Sequence, residues 1–266
     1  MGNYLGLSSS PIEPKRFYGW KRDQPDHRDL KKTFTQHELN QTPDNVDLRP
    51  NCPPIYDQGQ LGSCTANGGA AAYQYDEIKQ HNSSQFMPSR LYLYYNTRAI
   101  EGTIDQDSGA QIRNMIKSMS DKGLCREDQC PYDITKFTQQ PSQECYDFGK
   151  DHKPLKYERV VQDQNHIEAC LNQQLPIIFG FEVYESFESE EVAKTGQVPL
   201  PGPNEKLRGG HCTDIVGYDR QNRKFIVRNS WGPNWGDEGY CYFPYEYILN
   251  TNLCADFWVV QTISNN

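Results

Sequence analysis

Gln58-Gly59-Gln60-Leu61-Gly62-Ser63-Cys64-Thr65-Ala66-Asn67 sets a cysteine after a glycine turn and at the head of a run of small residues. A thiol at a helix N-terminus meets the positive end of the helix dipole, which favours its thiolate. The amide of Gln58, six positions upstream, is a donor for an oxyanion forming beside that sulfur. Two later segments, Gly209-Gly210-His211 and Arg228-Asn229-Ser230-Trp231-Gly232, add an imidazole and a second amide. Taken singly, each group has a bland reading, since a buried cysteine is usually inert packing. Taken together and in this order, they are the parts of nucleophilic acyl chemistry.

Residues 211–218 and 222–229 read as two strands of a hairpin. If Tyr218 pairs with Asn222 around a three-residue loop, His211 falls directly opposite Asn229. A four-residue loop is expected to put them on opposite faces, so the odd-length turn is the expectation. Direct opposition lets the Asn229 side chain hold one ring nitrogen of His211 and leaves the other aimed at sulfur.

The 266 residues allow one large domain or two small lobes. Hydrophobic content is modest at 36% and mean hydropathy is −0.85, but the 17 Tyr, 11 Phe and 4 Trp supply large buried areas. A net charge of −8 argues against nucleic acid as a partner. No stretch approaches a membrane span, and the N-terminus lacks a secretory pattern, so an intracellular protein is expected. A virion or host-cell compartment is the corresponding expectation for a viral source. Met1-Gly2 resembles a myristoylation start, but Gly6 stands where Ser or Thr is needed. Reserving Cys64, the other eight cysteines read as reduced structural thiols in that setting. Cys125 and Cys130 could pair locally, but no second pair at zinc-site spacing accompanies them, and neither metal nor cofactor is expected.

Residues 1–45 are polar and charge-dense, with one aromatic cluster, Phe17-Tyr18-Gly19-Trp20, and should not fold alone. From Val46 the pattern becomes that of an ordered domain. Ala71, Tyr75 and Ile78 continue a helix from Cys64, in which Gly68 and Gly69 imply close packing. Ser89 caps a helix through Leu91 to Tyr95. Ser108 with Gln111 reads as a capping box before the apolar face of Ile112, Met115, Ile116 and Met119, which Gly123 stops. A short capped helix around Asn165 and Glu168 precedes strands at Ile177–Val183, His211–Tyr218, Lys224–Asn229 and Asp256–Thr262. Helices first and strands second indicate an α+β protein of two lobes, 46–150 helical and 151–266 β-rich.

The segment Asn229-Ser230-Trp231-Gly232-Pro233-Asn234-Trp235-Gly236-Asp237-Glu238-Gly239-Tyr240, with the Gln58/Cys64 and Gly210-His211 blocks before it, resembles the papain-like cysteine peptidases of the cathepsin type. In that family His and Asn follow the nucleophile by roughly 130–150 residues, and here the Asn falls a little late. The resemblance implies an antiparallel sheet or barrel lobe facing a helical lobe, with the active-site cleft between them. Cys64 would attack the scissile carbonyl, His211 protonate the leaving amine, and Gln58 with the Cys64 backbone N–H hold the oxyanion. Water would then cleave the thioester, and Trp231 would cover the His–Asn pair. Backbone at Gly62, Ser108-Gly109 and Gly210 would hold an extended peptide or protein substrate. Leu61 replaces a cysteine that is bridged in many secreted members, and Thr65 replaces the tryptophan that commonly follows the nucleophile.

Family zymogens carry a prosegment through the cleft. The short extension here is similar to that of a small bacterial or viral branch, and residues 1–45 are expected to cover the cleft with Phe17, Tyr18 and Trp20 as anchor. Two other classes compete with the peptidase reading: a transglutaminase-like Cys-His acyl transferase, and a catalytically silent peptide-binding protein.

Overall fold

The computed structural model describes residues 17–80, 85–154 and 156–262. In chain order the first half holds β1 (Trp20–Lys21), α1 (Gln36–Asn40), β2 (Asn45–Asp47), α2 (Cys64–Lys79), α3 (Arg90–Glu101), β3 (Ala110–Gln111) and α4 (Ile112–Lys122). The second holds α5 (Gln143–Gly149), β4 (Lys156–Arg159), α6 (Gln164–Asn172), β5 (Ile177–Tyr184) and α7 (Glu190–Thr195). It continues with β6 (Leu207–Asp219), β7 (Lys224–Arg228), β8 (Tyr240–Pro244), α8 (Tyr245–Ile248) and β9 (Cys254–Gln261). The result is the expected α+β architecture of two lobes, helices on one side and a large antiparallel sheet on the other.

The seven-stranded sheet runs β4-β9-β5-β6-β7-β8, with β2 also paired to β6. β5 shows why the core is double. Ile177, Phe179, Phe181 and Val183 point into the sheet lobe's own core, while Ile178, on the other face, packs with the helical lobe. α2 lies against β6 and is buried along most of its length. A Cβ on Gly69 would stand 2.3 Å from the Met115 sulfur, which explains a glycine that costs about 1 kcal/mol in helix propensity.

Capping follows the sequence at some helices and departs from it at others. Ser89 Oγ accepts from the Tyr92 N–H at 3.1 Å, as its position predicts. Ser108 and Gln111 form no capping box. The α4 cap is Gln111 itself, without a side-chain bond, and Ser108 Oγ donates to Thr103 Oγ1 at 2.9 Å. The reason is tertiary: Ala110 and Gln111 are drawn into a two-stranded parallel pairing with β1, which delays the helix. α6 is capped by Asp163, and Asn165 lies inside the helix.

The β6–β7 hairpin corrects the expected register. Asp219 pairs with Lys224, so the loop is four residues long, and Tyr218 faces Phe225 rather than Asn222. A shift of one residue between Ile215 and Gly217 follows, and Asp214 then pairs with Arg228. This bulge cancels the parity error of the even loop, and His211 and Asn229 return to one face, diagonal rather than directly opposite.

Candidate active site

Cys64 is the first residue of α2 and is fully buried. The helix head is secured by Asn67, whose Nδ2 donates to Ser63 O at 3.0 Å, and by a hydrogen bond between the Ser63 and Tyr132 hydroxyls. Gln58 is equally buried. Its Oε1 accepts from Ser230 Oγ at 2.7 Å, and its Nε2 donates to Leu61 O at 3.0 Å and to Phe17 O at 3.1 Å. The loop before Cys64 is thereby tied to the segment after Asn229, across the lobes. The Gln58 N–H on Ser230 O at 2.9 Å adds to that tie.

His211 lies buried on β6 beside α2. Its Nε2 hydrogen-bonds Asn229 Oδ1 at 2.8 Å, and that oxygen also accepts the Ser230 N–H at 2.8 Å. An oxygen already fixed by a backbone donor calls for an N–H at Nε2, leaving Nδ1 for proton exchange. Trp231 stacks on the imidazole, with ring centres 4.9 Å apart and planes inclined by 26°. The sulfur of Cys64 lies beside the backbone of Cys212, the residue after His211. The structure thus brings Gln58, Cys64, His211, Asn229 and Trp231 to one place.

That place is occupied by the chain's own N-terminal part. Gly19 passes so close to Gly62 that a Cβ on Gly19 would stand 1.8 Å from Gly62 O. Gly19 O accepts the Ala110 N–H at 2.6 Å. Gly109, at φ +67°, has equally little room, since its Cβ would stand 2.1 Å from Gly19 O. On the other wall, a Cβ on Gly210 would meet Trp20 O at 2.6 Å. Tyr18 contacts His211 edge-on and Trp231 at a tilt, with ring centres 6.0 and 6.1 Å away, and its hydroxyl donates to Glu188 at 2.5 Å. Trp20 is 6% exposed. Its indole covers Gly180 and donates to Asp256 Oδ2 at 3.2 Å.

Three of the four residues expected to hold substrate, Gly62, Gly109 and Gly210, therefore touch this segment. Ser108 is nearby, but its hydroxyl turns to Thr103 and Gly109 O, away from the cleft. Glu188, Ala110, Gly180 and Asp256 also line the channel and have no signature in the sequence reading.

In this covered state burial opposes the expected thiolate. Burial pushes the Cys64 thiol up to about 11, against a smaller opposing effect of the Cys212 and Gly19 backbone. All nine cysteines are free thiols. Among the described residues, no group of three or more His, Cys, Asp or Glu is placed to hold a metal ion. Nor is any described helix long and apolar enough to cross a membrane.

A buried Cys at a helix head, with its sulfur beside the strand that carries an Asn-held His, defines a thiol peptidase of the papain type. The papain family cysteine protease model matches residues 42–255, and the chain belongs to that family. It is 43% identical over 94% of its length to an uncharacterised peptidase C1-like protein of Acanthamoeba polyphaga mimivirus, covering 88% of that protein. Its fold is similar to xylellain, a cysteine protease from Xylella fastidiosa, with a TM-score of 0.88 and 42% identity over 94% of this chain and 99% of that one. It also resembles procathepsin B S9 from Trypanosoma congolense at a TM-score of 0.74, over 93% of this chain and 87% of that one. At 18% identity, that second likeness shows the fold alone. The protein is a papain-like cysteine peptidase.

Proposed function

We propose that this peptidase is made latent, with residues 17–23 as its own inhibitor, and that Cys64, His211, Asn229 and Gln58 carry out the hydrolysis once that segment leaves. The observation that carries the proposal is the position of the Phe17 carbonyl. It takes the Gln58 Nε2–H that an oxyanion would need. With the cleft open, the Cys64 thiolate attacks the scissile carbonyl. The developing oxyanion is held by Gln58 Nε2 and the Cys64 N–H at the head of α2. His211 Nδ1 gives its proton to the leaving amine, and the acyl group stays on sulfur as a thioester. Water loses a proton to His211 and cleaves that bond, regenerating the thiol. Asn229 and Trp231 keep the imidazole in place throughout.

Backbone at Gly62, Gly109 and Gly210 supports an extended peptide in this reading, as an added strand. The segment 17–23 takes the same track, with β1 running parallel to β3. The proposal further treats residues 1–45 as a separable extension, 46–150 as the lobe of the nucleophile and 151–266 as the lobe of His and Asn.

Gly19→Ala in the full-length chain tests the latency. The added methyl group has no room beside Gly62, so the segment must lift. Turnover of a fluorogenic peptide library should rise at least tenfold, matching a form cut near Val46, with Cys64→Ala silent in every background. Equal turnover by wild type, Gly19→Ala and the cut form would sink the latency and leave the peptidase.

A further inference from the structure

Behind the His–Asn pair lies a small cavity that the hydrolysis itself does not use. Tyr56, Gly68, Cys212, Thr213, Asp214, Arg228 and Asn229 are among its walls. Its free space for the centre of a water molecule is about 10 Å³, the lower limit for one water. Among these lining residues, Asp214 Oδ1, Arg228 Nε and Asn229 Nδ2 are buried polar atoms that lack a protein hydrogen-bond partner. Asp214 is 2% exposed and lies directly across the hairpin from Arg228. Leaving such groups unmet is costly, and a single water can satisfy up to four.

We propose that Asp214 is a positioning residue for the peptidase. Through one water shared with Asn229 Nδ2, it fixes the Asn229 amide so that Oδ1 faces His211. The inference rests on the catalytic role given above to His211 and Asn229. An amide presents oxygen on one side and nitrogen on the other, and only the oxygen side can hold the imidazolium N–H. The Ser230 N–H fixes the oxygen end at 2.8 Å. Asp214 supplies the acceptor at the nitrogen end, while Arg228 completes the shell. Arg228 cannot turn away freely, since its Nη2 is committed to Pro53 O at 3.3 Å and Pro54 O at 2.6 Å. The α2 wall allows the water for a simple reason: residue 68 is glycine, and a Cβ there would stand 3.2 Å from Asp214 Oδ1.

The test replaces Asp214 by Leu, which keeps bulk but removes the acceptor, and by Asn, which keeps an acceptor oxygen. Both are made in the full-length chain with and without Gly19→Ala. Asp214→Leu should lower kcat roughly ten- to a hundredfold with KM unchanged. The alkaline limb of kcat/KM should move down by about one pH unit, because the imidazolium loses a firm acceptor. The low-field proton resonance of the His211 Nε2–H should shift with it. Asp214→Asn should stay within roughly threefold of its parent. A folded Asp214→Leu chain with an unmoved pH profile and resonance overturns the proposal, as does a high-resolution crystal structure without a water between Asp214 and Asn229. If Asp214→Leu does not fold, Gly68→Ala fills the cavity from the helix side, and the same losses at an undiminished melting temperature are expected. Absence of any Cys64-dependent hydrolysis in the parent would instead refute the catalytic reading, and the resonance and the water would still decide the role of Asp214.

Discussion

Cys64 shows two physical effects in opposition. A helix N-terminus favours an anion by about 0.3–1 kcal/mol, up to about 2 in partly buried sites. Burial under Phe17 to Lys21 wins, raising the thiol from 9.0 to about 11. Because the covered thiol titrates higher, covering favours the protonated form. Its contribution is therefore complete below the ordinary value of 9.0 and is lost as pH rises through about 11. Iodoacetamide should accordingly alkylate Cys64 of the full-length chain slowly at pH 7 and faster toward pH 11. Gly19→Ala should react roughly a hundredfold faster at pH 7, and equal rates would show that covering does not set the thiol. Cys64, Gln58, His211 and Asn229 could be read from the sequence because each lies in a locally distinctive block. Asp214 and Asp256 could not, since a lone carboxylate in a strand acquires its meaning only from what the fold packs against it.

At the scale of elements, β1 is only two residues long, and ladder bonds alone do not hold it. Its anchor is the Trp20 indole over Gly180 with its N–H on Asp256. Replacing Trp20 by Ala should weaken that anchorage by about 3–5 kcal/mol. Trypsin should then cut at Lys21 or Arg22 of the folded chain before it cuts elsewhere, and peptide turnover should rise. A cleavage pattern like that of wild type would move the anchor to another residue. Long elements were legible: α2, α4 and β5 carry full apolar periods or runs. The start of α4 and the hairpin register were not, because each is set by a partner distant in sequence. β1 delays α4, and the bulge between Ile215 and Gly217 corrects an even loop.

Across the whole molecule, the N-terminal part is bound to both lobes at once. Asp29 receives Arg113 from α4 and Arg159 from β4, and Arg159 also reaches Asp23 and Asp256. Burial and the nearby Asp256 raise the Asp23 carboxyl to about 6, above the usual carboxylate range. The bound segment therefore holds a proton that the free segment gives up. Its grip through Asp23 is strongest below about pH 4 and weakens as pH rises through about 6. The ratio of turnover by the Val46 form to that by the full chain should be larger at pH 4.5 than at pH 7, and Asp23→Asn should flatten it. A ratio independent of pH in both chains would remove Asp23 from the latch.

The place of β9 has a consequence in time. This late strand lies between β4 and β5, so the sheet behind His211 closes only after Gln261 has been made. Phe17 to Lys21 leave the ribosome first. At about 5–20 residues per second, roughly 10–40 s separate Trp20 from Asn229. On the latency proposed above, the covering segment is thus already made when the last group it covers appears, and the nascent enzyme is expected to have no interval in which to digest its neighbours.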